Sequence, residues 1–315
     1  MKFRTEIEIN KYDFQIDYHS KIFGLGSCFV NHIGQKMDYF QFQHQINTFG
    51  IIFNPFSIRN ILERVIKQQF FEEKDLFHLN GSWKSYELHS SQNHSSKTEM
   101  LDHINQKMAH THSFLLETNL AIFTFGTAWI YKLKETGKIV SNCHKVPQKA
   151  FDKQLMQTDE IKTQINQIIS LLRQINPKLK ILLTLSPVRH LKDGFAENQH
   201  SKARLLDSLH HFVDNRHVFY FPSYEILMDD LRDYRFYEDD LLHPNTMAVD
   251  YVWHKFKQAI FSDTGLQTMK KVEKIRKNTQ HRPFRKDSAQ FADFQQKTNR
   301  EIQSLTDEFP WMKFY

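Results

Sequence analysis

Glycine is scarce in this chain, nine residues in 315, and proline adds only eight. A low-complexity, disordered polypeptide is thereby excluded. Cysteine occurs twice, as Cys28 and Cys143, which excludes a disulfide framework and fits a reducing, cytoplasmic location. No run of ~18 apolar residues is present, so no transmembrane helix is expected. The N-terminal MKFRTEIEINKYDF has no apolar core, so no secretory signal is read there. Negative charge is lacking in one place only. Residues 270–286 carry eight Lys/Arg against one Glu, while the formal net charge of the whole chain is +6, so the remaining body is near neutral. A short basic segment on a neutral body reads as a solvated helix face rather than a nucleic-acid surface, and no nucleic-acid partner is expected.

What is abundant is phenylalanine, 28 residues, within an ordinary globular balance of 40% hydrophobic and 25% charged. Five short apolar segments read as strands: Lys21–Gly26, His44–Phe49, Leu120–Phe125, Lys180–Leu185 and His217–Phe221. Helical spacing lies between them. Ile161, Ile165, Ile168, Ile169 and Leu172 form one stripe, with Thr158 or Asp159 as N-cap. Ala203, Leu206, Leu209 and Val213 form a second, and Val249, Val252, Phe256 and Ile260 a third after Thr246. This alternation predicts a doubly wound, mostly parallel five-stranded sheet in the order 2-1-3-4-5 over residues 1–262. Residues 65–119 are a polar, partly helical excursion, and 127–146 a hairpin that returns Asn142 and His144 towards Gly126. Residues 263–315 form a helical extension, basic and then aromatic. Its last ~25 residues are too rich in aromatics to be a free linker and are expected to dock, on the body or on a second subunit. Residues 270–286 are expected to be its solvated part. The charged stretch from Asp229 to Asp240 is expected to be a solvated helix.

In such a sheet, ligands bind beyond the carboxyl ends of the strands. The scarce glycines mark those ends. Gly26-Ser27 follows the first strand, Gly50 the second and Gly126-Thr127 the third. Arg189-His190 follows the fourth, and the loop after the fifth carries Asp240 and His243. A serine that attacks an acyl carbonyl needs a base in reach, and the base an orienting acid. Ser27 with His243 and Asp240 supplies all three, although Ser27 also suits a helix N-cap and His243 a surface turn. Cys28 is a rival nucleophile, but reads first as a small buried hydrophobe. Arg189 suits either an acidic substrate group or an ion pair with Asp193 or Asp240. Trp129 and Tyr131 suit sugar stacking or hairpin packing.

The blocks FGLGSCFVNHIG, FGIIFNPFSI, FGTAWIY, NCHKVP, LSPVRHLKDGFAENQHSKA and FPSYEILMDDLRDYRFYEDDLLHPN resemble, in order, those of the GSCFA family. Val30 stands where the family name has alanine. That family is similar to the SGNH/GDSL hydrolases, so the resemblance implies a three-layer, flavodoxin-like SGNH-hydrolase fold. It also implies Ser27 as nucleophile, Asp240 and His243 as its partners, and Gly50 as an oxyanion donor. The Gly-Asp-Ser block stands here as Leu25-Gly26-Ser27, without the aspartate. The Gly-x-Asn block stands as Gly126-Thr127-Ala128, without the oxyanion asparagine. Thr127, Asn54, Asn142 or His144 would have to replace it, with Asn142 preferred. The expected function is a serine hydrolase of ester bonds, deacylating or deacetylating a carbohydrate or small acyl ester without metal or cofactor. An acyltransferase with the same triad, or a non-catalytic binding module, is the alternative. Oligomers would form through the C-terminal extension.

Overall fold

The computed structural model describes residues 5–281 and 288–314. Its centre is a parallel sheet of β1 (Lys21–Gly26), β2 (Gln43–Ile46), β3 (Leu120–Phe125), β4 (Lys180–Leu185) and β5 (Val218–Tyr220). The spatial order is β2-β1-β3-β4-β5, as the alternation predicts. β3 is buried at every position because helices cover both faces of the sheet, the usual fate of parallel strands. Ala121, Phe123 and Phe125 face one layer while Leu120 and Ile122 face the other. The first layer holds α2 (Pro55–Ile66), α3 (Lys97–Leu116), α4 (Thr158–Ile175) and α5 (Phe195–His210). The second holds α1 (Cys28–Phe40), α6 (Thr246–Ile260), α7 (Asp263–Gln280) and α8 (Ala289–Glu308). Together they form a three-layer α/β domain with added C-terminal helices. Among the described residues, no helix is long and apolar enough to cross a membrane.

Local chemistry sets the helix boundaries. The N-caps are Gln157 for α4 and Asn245 for α6, each one residue before the threonine named from sequence. The α4 stripe is buried as expected. On α5 the inward face is turned by one position: Lys202, Leu205, Ser208 and Leu209 are buried, whereas Ala203 is exposed. Polar side chains at 201 and 202 point inward because backbone and hydroxyl groups wait there to be satisfied.

Several expectations need correction. The 127–146 hairpin is part of a three-stranded sheet in which Trp129–Leu133 pairs with Ile139–Val140 and, on its other side, with Phe151–Leu155. The returning strand stops at Val140, and His144 and Lys145 turn at φ of 49° and 62°. Asn142 and His144 therefore share no strand face. The charged stretch is no solvated helix: Ile226–Asp230 forms one π-type turn and Tyr234–Phe236 one 3-10 turn. Asp230 is buried and accepts from the Ile7 amide at 2.7 Å and the Tyr251 hydroxyl at 3.0 Å. The basic run is not wholly solvated either. α7 buries Val272 and Ile275 on the body, and residues 282–287 lie outside the described residues.

The chain's end docks on its own body. Phe309 packs against Tyr18 with ring centroids 5.3 Å apart. The Trp311 indole donates to the Gln41 carbonyl at 3.2 Å, and the Lys313 amide to Gln41 Oε1 at 2.7 Å.

Candidate active site

Ser27 sits where β1 turns into α1. It is the N-cap of that helix, its Oγ accepting from the Phe29 amide at 3.3 Å. Its side chain therefore stands in the positive end of the helix dipole, which favours developing negative charge. Gly26, just before it, has φ of 150°, and a Cβ there would lie 2.3 Å from the Thr124 carbonyl oxygen. Only glycine lets β1 and β3 approach this closely.

Asp240 and His243 lie on one tight loop. The Glu238 amide donates to the His243 carbonyl at 2.8 Å, and Tyr237 bridges to Pro244. Leu241 takes φ of 59° inside this turn, which folds the carboxylate back onto the imidazole. Asp240 Oδ2 lies 2.6 Å from His243 Nδ1, and Oδ1 accepts from the Leu242 and His243 amides, each at 2.9 Å. The His243 amide, the His243 ring and the Leu242 amide hold the Asp240 carboxyl down at about 2, so it remains ionised. Nδ1 thus faces a fixed anion and Nε2 is left for a reacting proton. Among the described hydrogen bonds none joins Ser27 to His243.

Charges link these groups into one cluster. Asp240 and Lys202 both act on the Cys28 thiol, which burial pushes up. His190 is pushed down to about 4, first by burial and then by Lys202, with His243 also acting on it and Asp193 opposing. The His190 ring stacks on Phe53 at 5.2 Å, and its buried Nε2 has no hydrogen-bond partner among the described residues. Arg189 makes no ion pair with Asp193 or Asp240. Its guanidinium lies 5.7 Å from the Tyr237 ring centre and touches Met228 Sδ at 3.5 Å, while Asp193 pairs with Lys153.

The expected oxyanion donors are otherwise engaged. The Ser27 amide donates to the Thr124 carbonyl at 3.0 Å and the Gly50 amide to the Asn47 carbonyl at 2.7 Å. Gly50 takes φ of 81° in that turn, with His89 of the excursion packed against it. The Gly126 amide donates to the Phe53 carbonyl at 2.8 Å. Thr127 Oγ1 lies 3.1 Å from Ser201 Oγ, which also accepts from the Ala128 amide at 2.7 Å. Asn54 is the N-cap of α2, accepting from the Ser57 amide at 2.8 Å. Asn142 Oδ1 accepts from the His144 amide at 2.8 Å, and His144 Nε2 lies 2.7 Å from the Ser85 carbonyl. Both belong to the joint between excursion and hairpin, and neither hydrogen-bonds to Ser27. Trp129 is covered by the Lys153 ammonium, 4.3 Å from the ring centre, which is hairpin packing. The first amide of α1, on Cys28, has no intrahelical acceptor and acts on its own thiol.

Sequence reasoning missed Lys202. It lies on α5, is 1% exposed, and its ammonium donates to the carbonyls of Gly126 at 2.7 Å and Ser186 at 2.6 Å. The signal was the pair Ser201-Lys202 inside an otherwise amphipathic helix.

A serine-bearing turn at the head of a helix and an Asp-x-x-His loop, on the carboxyl edge of a parallel sheet covered by helices on both faces, define a three-layer α/β protein. Within that class, the GSCFA family model matches residues 21–256, and the model of the GSCFA domain protein C-terminal domain matches residues 272–315. The chain belongs to the GSCFA family. No curated protein sequence matches it. Among solved structures it is similar to a carbohydrate esterase family 3 from Talaromyces cellulolyticus, at 9% identity, covering 81% of this chain and 99% of that one, with a TM-score of 0.36. It is also similar to a serine-to-alanine mutant of an acetyl esterase with acetate ion, at 10% identity, with the same coverages and TM-score.

Proposed function

We propose that this chain is a serine hydrolase of ester bonds, with Ser27 as nucleophile, His243 as base and Asp240 as the acid that orients it. The observation carrying the reading is the 2.6 Å contact of Asp240 Oδ2 with His243 Nδ1, on the same sheet edge as Ser27 at a helix N-terminus. Ser27 Oγ attacks the acyl carbon while His243 Nε2 takes its proton. Asp240 stabilises the imidazolium that forms. Collapse of the tetrahedral adduct expels the alcohol, which receives that proton. Water then attacks the acyl-enzyme with His243 again as base. Attack by a second alcohol instead gives acyl transfer. Ser27 and His243 close to hydrogen-bond distance when substrate binds, as catalytic contacts that are long in free enzymes often do.

Arg189, free of carboxylate partners among the described residues, suits an anionic or strongly polar group on the substrate. Residues 1–262 form the catalytic unit in this reading, and 263–315 brace it. The substrate is a short acyl ester, of a carbohydrate or another alcohol.

The test is hydrolysis of a p-nitrophenyl acetate series, with and without an acceptor alcohol, together with fluorophosphonate labelling followed by peptide mapping. Label on Ser27 and loss of turnover in Ser27→Ala are expected. A second reading, a binding module on a hydrolase scaffold, has one observation behind it: the committed amides of Ser27 and Gly50. Absence of label on Ser27, with a carbohydrate bound unaltered, would establish that reading instead.

A further inference from the structure

A charge buried without a counter-ion is expensive unless something else requires it. Lys202 is such a charge. Its two acceptors are neutral carbonyls, those of the first residues past β3 and β4. No carboxylate forms an ion pair with it among the described residues. The titratable groups around it are the Cys28 thiol at the head of α1 and the His190 imidazole on the loop after β4. Asp240 acts on Cys28 and Asp193 on His190. Neither pairs with Lys202 itself.

The place of this cation matters. It lies directly behind Gly126-Thr127-Ala128, the loop that has alanine where a side-chain donor would stand. Its helix neighbour Ser201 engages both the hydroxyl and the amide of that loop. The amides of Ser27, Gly50 and Gly126 are engaged as well. Negative charge forming on a substrate oxygen at Ser27 would meet the positive end of the α1 dipole. The Lys202 ammonium, which pairs with no carboxylate among the described residues, already acts on the Cys28 thiol next to Ser27.

We propose that Lys202 is a positioning residue for this reaction: a buried ammonium that fixes the loops after β3 and β4 and stabilises the oxyanion formed at Ser27 from behind, in place of an asparagine. This rests on the hydrolase reading above. No bond forms between Lys202 and substrate, and its proton stays on nitrogen through the cycle. The role requires the charged form. Burial pushes Lys202 down to about 7, opposed by Cys28, so the charged form is lost in the neutral to alkaline range.

The experiment is the rate of fluorophosphonate labelling of Ser27 in the full chain, from pH 5.5 to 9.5, for wild type, Lys202→Arg and Lys202→Met. Wild type is expected to slow as pH rises through about 7. Lys202→Arg, which stays charged, is expected to lose that alkaline decline. Lys202→Met is expected to label ~10²-fold more slowly at pH 6, the cost typical of one oxyanion donor, and to show no decline. Labelling of Lys202→Met within threefold of wild type at pH 6, or an alkaline decline unchanged in Lys202→Arg, would overturn the proposal. If Lys202→Met fails to fold by circular dichroism, the Lys202→Arg profile decides alone. Wild type unlabelled at Ser27 would instead remove the hydrolase reading, and this role with it.

Discussion

Two buried lysines on opposite sides of the sheet solve the same electrostatic problem differently. Lys255, on α6, is 7% exposed and lies between two carboxylates, Glu6 at 2.8 Å and Asp230 at 3.4 Å, and also donates to the Ile7 carbonyl at 2.6 Å. Burial disfavours its charge, but the Glu6 hydrogen bond, Tyr251 and Asp230 outweigh that and raise its pKa. Lys202 has carbonyls alone, and burial lowers it to about 7. Lys84 is buried as well, with the Ser82 hydroxyl as its hydrogen-bond partner, so lack of a carboxylate does not by itself mark a site. In the proposed reading, what sets Lys202 apart is its place at the carboxyl edge of the sheet, acting on Cys28 next to Ser27, where a charge would arrive with the substrate. The α6 side is scaffold in that reading.

The comparison breaks at once if the edge is not reactive. Ser27→Ala should therefore lower ester turnover by ~10⁴-fold or more, measured with p-nitrophenyl acetate. Asp240→Asn should come next, with a ~10⁴-fold fall in kcat and an unchanged circular dichroism spectrum. Because Asp240 is held at about 2, its titration should contribute no acid limb to the pH–rate profile above pH 4.

The lysines themselves should separate by stability. Lys255→Met strands the buried Asp230 carboxylate and should cost ~3 kcal/mol in urea unfolding while leaving Ser27 labelling unchanged. Lys202→Met removes an uncompensated charge and should leave stability level or raise it. The smallest effect is the pH dependence of that difference. Lys202 is depressed in the folded chain, so between about 7 and the ordinary lysine range the unfolded chain binds more protons. Wild-type stability should therefore rise relative to Lys202→Met from pH 7 to pH 9. For Lys255 the shift is upward, so its contribution is complete below the ordinary lysine pKa and is lost only above it. The Lys255→Met deficit should accordingly be flat over the same interval.

The sheet was legible because each strand is a short apolar run closed by glycine or a polar turn, and its order follows from the alternation with helices. Asp240 and His243 were legible from a spacing that a turn can close. The proposed oxyanion donors were not. The Ser27 and Gly50 amides are engaged by the Thr124 and Asn47 carbonyls, and an amide carries no side-chain signature of what it already bonds. Asn142 and His144 were placed by extending strand alternation beyond Val140, where two left-handed residues end the strand. Lys202 escaped because apolar periodicity selects Ala203 and Leu206, while on α5 the inward positions are polar. A hydrophobic stripe cannot reveal a helix face that is buried to satisfy carbonyls.

Gly26 also acts as a lock on redesign. The backbone of Thr124 fills the space that a first side-chain carbon at 26 would need. Installing an aspartate before Ser27 would require β1 and β3 to separate, and those strands hold the middle of the molecule. A side chain at this position is therefore a wedge driven through the sheet, not a change of one surface group.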